Sequence, residues 1–335
     1  MSSDWPRVRL HVVTGKGGTG KTTVAASLAL ALASHGKNVL VCEVEGRQGL
    51  ARMFDVDPLP YAETRIATGL RGPDGQRPGA VHALHIDPES ALLEYLAMYY
   101  RLGRAGKALD RFGVIEFATT IAPGVRDVLL TGKVFEAVQR NSRNKGAVEY
   151  DAVVLDAPPT GRITQFLNVS DELAGLAKVG PIKSQADTMM TLFRSPRTAV
   201  HLVTVLEEMP VQETADGIEE LRAAGLPVGG VVVNLVRPRD LPDEALAQAA
   251  AGRLDKEAVR ADLDAVGVAT TKTLVDGLAA EARDHAERRA LEESQRALVD
   301  GLGVPTYELE RLAGGVDLGG LYDLAARLRD QGLAT

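Results

Sequence analysis

The chain has 335 residues, 45% of them apolar and 4% aromatic, with a formal charge of −7. No apolar run reaches the roughly 18 residues of a membrane span, and the N-terminal MSSDWPRVRL lacks the apolar core of a secretory signal. Cys42 is the single cysteine, which excludes an intrachain disulfide, and mild acidity with few aromatics argues against a nucleic-acid surface. A cytoplasmic protein is expected, with a peripheral membrane contact left open.

Residues 8–14 form a short run of apolar and β-branched groups suited to a buried strand. Residues 15–22 then read GKGGTGKT, which fits G-x-x-x-x-G-K-[ST], a loop whose backbone N–H groups wrap a di- or triphosphate. Gly17, Gly18 and Gly20 let the backbone approach phosphate oxygens, with Thr19 and Thr23 completing the cradle. Lys21 would neutralise the β- and γ-phosphates, and the Thr22 hydroxyl would ligate Mg²⁺. The Ala/Leu-rich segment 23–34 reads as a helix that sets its N-terminus beneath the phosphates. Lys16 is a second cation, superfluous for the loop's own nucleotide, and so points to another one.

Further strands are expected at 38–44, 80–86, 152–156, 199–206, 229–236 and 304–309, separated by helical stretches that imply right-handed crossovers. Glu43 and Glu45 lie at the end of the second strand, where a carboxylate could polarise an attacking water; Glu45 is the candidate. Asp156 ends another strand, the place for a carboxylate that holds Mg²⁺ through water. The turn Pro158-Pro159-Thr160-Gly161 follows and could register a γ-phosphate. Residues 71–79 read as a surface loop. Apolar residues recur at helical spacing through 88–138, as core or as a partner-receiving surface, and 242–300 reads as solvated helices. One phosphate loop and one sheet imply a single domain over 1–335, with helical insertions at about 88–138 and 242–300. The expected class is α/β: a P-loop NTPase with a mostly parallel sheet of seven or eight strands flanked by helices.

KGGTGKTT at 16–23 resembles the deviant phosphate loop of the ArsA, guided-entry (Get) and MinD class of ATPases. DAPPTGRITQFL at 156–167 is similar to the second switch of ArsA-like anion-transporting ATPases, and HIDPESALLEYL, IAPGVRDVLL and FRSPRTAVHLVT are similar to further family segments. An actinobacterial-type subgroup is nearest in pattern. The resemblance implies an ATPase that uses ATP and Mg²⁺ at a dimer interface, where Lys16 would reach the partner's phosphates. The partner would be a second copy or a paralogous subunit, and the client hydrophobic or membrane-associated. Adenine contacts would fall on Asn234 and Pro305.

Three departures accompany the resemblance. The family's first switch usually reads D-P-A-H, whereas here it is Glu45-Gly46-Arg47-Gln48; the extra methylene shifts the carboxylate by about 1.5 Å, enough to cost roughly a hundredfold in rate. The C-x-x-C zinc pair of the targeting members is missing, so no thiolate zinc is expected. The segment between Leu167 and Phe193 is short for a transmembrane-helix groove. The Glu45 departure keeps open a weakly hydrolysing regulatory subunit beside the nucleotide-gated dimer; a tail-anchored-protein targeting factor is a further alternative, supported by similarity over most of the chain and opposed by the short groove segment. A MinD-like positioning ATPase with a membrane helix at 320–333 is a fourth alternative, although that apolar face reads better as packed on the sheet.

Overall fold

A computed structural model describes residues 5–46, 48–71, 77–100, 123–140, 148–168, 181–238 and 241–334. Eight strands form one sheet: β1 (Leu10–Gly15), β2 (Val39–Glu43), β3 (Thr64–Thr68), β4 (Ala80–His85), β5 (Ala152–Asp156), β6 (Thr198–Thr204), β7 (Val228–Val236) and β8 (Thr306–Glu310). Their order is β3-β4-β2-β5-β1-β6-β7-β8, all parallel except the β3–β4 pair. Seven of these match the expected strands to within two residues at either end. The eighth, β3, has the polar sequence TRIAT and lies half-buried at the sheet's edge, so no apolar run announced it.

The eleven helices among the described residues are α1 (Lys21–Leu32), α2 (Gly49–Met53), α3 (Pro88–Tyr100), α4 (Pro123–Gln139), α5 (Thr160–Leu167), α6 (Pro181–Phe193), α7 (Glu208–Ala223), α8 (Asp243–Ala250), α9 (Lys256–Ala265), α10 (Lys272–Asp300) and α11 (Leu318–Asp330). Fully buried strands such as AVVLD and TAVHLVT need cover on both faces, and helices supply it. One core layer joins α1, α2 and α11 to the sheet; the other joins α4, α5, α6 and α7.

Buried on every side from Thr23 to Leu32, α1 lies between the sheet and α11. Leu321, Leu324 and Leu328 of α11 pack into that layer, so the expected apolar stripe near the C-terminus is core. Part of the 88–138 stripe is core as well: Leu129, Leu130, Val134 and Val138 of α4 are buried beneath the sheet. Other apolar residues of the 88–138 stripe, Leu102, Phe112, Ile115 and Phe117, lie outside the described residues. No helix among the described residues is long and apolar enough to cross a membrane.

Candidate nucleotide site

The parallel strands all deliver their C-terminal ends to one edge of the sheet, with β1 near its centre. Ligands of open α/β sheets gather at that edge. β1 ends at Gly15, and the loop to α1 carries Lys16 to Gly20. Gly18 and Gly20 both adopt φ near +90°, a left-handed conformation that a side chain would strain. A Cβ on Gly20 would overlap Nδ2 of Asn234, whereas one on Gly17 would meet nothing within 4 Å. Thr19 closes the loop on itself, its hydroxyl donating to the Lys16 carbonyl at 2.9 Å. Asn234, near the end of β7, donates its amide to the Thr19 carbonyl at 2.8 Å. The Thr23 side chain is buried, and Lys21 and Thr22 are half-buried at the mouth of α1.

Asp156 ends β5 beside β1 and accepts a hydrogen bond from the Thr22 hydroxyl at 2.6 Å. Burial pushes the Asp156 carboxyl up to about 7; the Thr22 hydrogen bond and Lys21 pull it down, while Glu43 and Glu45 add to the rise. A buried carboxylate held this way is short of positive charge, and a divalent cation would supply it. Thr22 keeps a lone pair free while it donates, so the pair fits Mg²⁺ bound to the hydroxyl and, through water, to Asp156. Among the described residues no group of three His, Cys, Asp or Glu side chains forms a metal cage.

Glu43 and Glu45 do not both lie on the strand, because β2 ends at Glu43 and Glu45 enters a bend with Gly46 at φ +32° and Gln48 at φ +51°. Glu43 is buried; its Oε1 accepts the Gly49 N–H at 2.7 Å, which pins the first turn of α2. Its Oε2 has no hydrogen-bond partner and faces His85 Nδ1 at 3.6 Å. Register sets Asp156, Glu43 and His85 side by side on β5, β2 and β4. The sequence expectation of a water-positioning carboxylate falls on Glu45; the unpaired Oε2 of Glu43 becomes visible only in the three-dimensional register.

Glu45 lines a cavity of about 350 Å³ between the two switch segments, shared with Arg126, Asp127, Pro158 and Arg162. Arg162 on α5 approaches Asp127 on α4 at 3.4 Å. The second switch is tied to the loop's strand: Thr14 donates its hydroxyl to the Pro158 carbonyl at 2.7 Å, and the Ala157 N–H donates to Val13.

Pro305 does not join the site. It precedes β8, and its carbonyl accepts the Val231 N–H at the far edge of the sheet. Along β7 this is three residues or more before Asn234, roughly 10 Å from the phosphate-loop edge. The segment on the correct side begins after β8, where the Arg311 N–H donates to the Val236 carbonyl.

A strand, a glycine-rich anion loop, a helix N-terminus and a carboxylate on the adjacent strand together define a P-loop nucleotide-binding protein. A family model described as anion-transporting ATPase matches residues 8–196. ATPase BagA of Mycobacterium tuberculosis is 52% identical over 336 aligned residues, which cover 99% of this chain and 97% of that protein. ATPase get3 of Neurospora crassa is 26% identical over 221 residues, 66% of this chain and 59% of its own length. ATPase GET3 of Kluyveromyces lactis is 25% identical over 256 residues, covering 66% and 70% respectively. The chain belongs to the anion-transporting ATPase (ArsA) family and is an ATPase of that family.

Proposed function

We propose that the chain is a Mg²⁺-dependent ATPase that works as a nucleotide-gated dimer, with the energy of hydrolysis spent on moving a hydrophobic or membrane-associated client. The observation that carries the reading is the Thr22–Asp156 hydrogen bond at the head of the phosphate loop. In this reading Lys21 and the loop amides hold the β- and γ-phosphates, and Thr22 and Asp156 hold the metal, which when bound offsets charge on the transferring phosphoryl group. Asn234 fixes the loop from behind and offers its remaining polar valences to the base. Lys16 serves the phosphates of the opposite chain. The client part rests on resemblance to the guided-entry ATPases; α4 contributes little to such a surface, because its apolar face is buried in core.

Position 45 favours a second reading, a slow regulatory subunit beside an active paralogue, because the Glu45 carboxylate lines the inter-switch cavity in company with two arginines. Phosphate release from Mg²⁺–ATP by the purified chain separates the two. The first reading expects turnover that falls at least a hundredfold in both Lys21→Ala and Lys16→Ala. Turnover that survives Lys16→Ala refutes the trans role, and no turnover in the well-folded wild type favours the regulatory subunit.

A further inference from the structure

Lys16 is not idle. Its ammonium lies 2.8 Å from Oε1 of Glu213 on α7, with both side chains about one-third exposed (31% and 37%). The lysine's backbone is fixed, since its carbonyl accepts both the hydroxyl and the N–H of Thr19. Only the side chain is free to swing, and it stands beside the exposed Gly17 and Gly18, where added Cβ atoms would meet nothing within 4 Å. A lysine engaged by its own chain's carboxylate must leave it before reaching any other chain.

The carboxylate sits on a helix that touches the second switch. Four residues beyond Glu213, on the same face of α7, Gly217 packs so closely on Thr160 that an added Cβ would overlap Thr160 Cγ2 and come within 3.2 Å of Leu202. Thr160 opens α5 directly after the Pro158-Pro159 turn, and its hydroxyl is buried with no hydrogen-bond partner. A buried unpaired hydroxyl beside a phosphate-sensing turn is a group in wait of a ligand-dependent rearrangement. Any shift of Thr160 presses on Gly217, and close packing passes that shift to the helix and to Glu213.

We propose that Glu213 is a positioning residue that holds Lys16 within its own chain, and that the second switch, acting through the Thr160–Gly217 contact, releases it when a nucleoside triphosphate binds. The inference rests on the trans role of Lys16 given above. The nucleotide-free chain keeps its trans lysine withdrawn, so an empty site is prevented from offering charge to a neighbour. A partly exposed ion pair of this kind is worth about twofold to fivefold in an equilibrium, a bias that phosphate charge readily outweighs.

Carbodiimide, which joins contacting lysine and carboxylate side chains without a spacer, tests the pair on the full-length protein. Digestion and mass spectrometry should find a Lys16–Glu213 isopeptide in the nucleotide-free state. An equal mixture of ¹⁵N-labelled and unlabelled chains should show it to be intrachain. Saturating Mg²⁺ and a non-hydrolysable ATP analogue should lower its yield at least fivefold, whereas Thr160→Ser, which deletes the methyl seated on Gly217, should bind the analogue yet keep the cross-link. Absence of the intrachain link without nucleotide, or a yield indifferent to the analogue, overturns the proposal. A Thr160→Ser protein that responds like the wild type overturns the route through Gly217. Loss of turnover in Lys16→Ala with no cross-link would leave the trans role standing and remove Glu213 alone, whereas unimpaired turnover would remove the reading beneath it.

Discussion

Replacing Asp156 by Asn should stabilise the nucleotide-free protein while disabling the proposed metal site. Burial raises the folded-state carboxyl to about 7 from an ordinary value near 3.8. Between those values the folded chain binds a proton that the unfolded chain has lost, so wild-type stability falls as pH rises through this window and levels off above it. At 1.36 kcal/mol per unit the full penalty is on the order of 4 kcal/mol. Asn carries no charge, can still accept from the Thr22 hydroxyl, and relieves Glu43 and Glu45 of a like charge. The stability gap between Asp156→Asn and wild type should therefore be about 1.5 kcal/mol at pH 5 and about 4 kcal/mol at pH 8. With an unfolding entropy of roughly 2 cal/mol/K per residue, the larger gap corresponds to about 6 °C in Tm. Thermal and urea unfolding of both proteins at the two pH values, without Mg²⁺ or nucleotide, measure it. Other titrating groups are common to both proteins and drop out of the difference to first order. A gap that stays constant from pH 5 to pH 8, or a variant less stable than wild type at pH 8, refutes the argument.

Two further outcomes follow from the same geometry. His11 Nδ1 and His201 Nε2 meet at 3.0 Å in the buried sheet, and the Gly230 N–H donates to His201 Nδ1. Burial pushes His201 down to about 3 and, with the neighbouring His201, holds His11 well below its usual value. Both folded-state values are depressed, so their contribution to stability is intact above pH 6.5 and is lost as pH falls toward 3; imidazole NMR resonances of these two residues should stay unshifted from pH 8 to pH 5. Gly20→Ala combines a strained φ of +90° with overlap on Asn234 Nδ2, and should cost about 1–2 kcal/mol and weaken nucleotide binding. Gly17→Ala, with open space around it, should leave Tm unchanged within a degree; calorimetry compares the two.

What the sequence disclosed followed from local pattern. Residues 15–22 and their flanks carry strand, loop and helix in one contiguous stretch, and Asp156 closes an apolar run, so both could be placed on the chain without coordinates. β3 could not, because an edge strand needs only half its surface covered and TRIAT carries no apolar run. Pro305 was misplaced because a motif near a strand does not say which end of the strand it occupies; in a parallel sheet the two ends lie on opposite edges. Glu43 and Glu45 share one local pattern, and only the turn through Gly46 and Gln48 distinguishes the buried carboxylate from the one in the cavity. The Lys16–Glu213 pair joins positions 197 residues apart, and no local pattern links them.

The enclosure of α1 has a consequence for how the protein can be observed. A helix with no exposed residue from Thr23 to Leu32 cannot tilt or slide without opening core on every side. It serves as a fixed reference for distances to the rest of the molecule. A spectroscopic probe near the base of the phosphate loop would therefore report occupancy but no movement. Probes for the proposed release of Lys16 belong on Thr160 and Glu213, paired with a second label in the α1 layer, where any change in separation is assigned to the first label's segment.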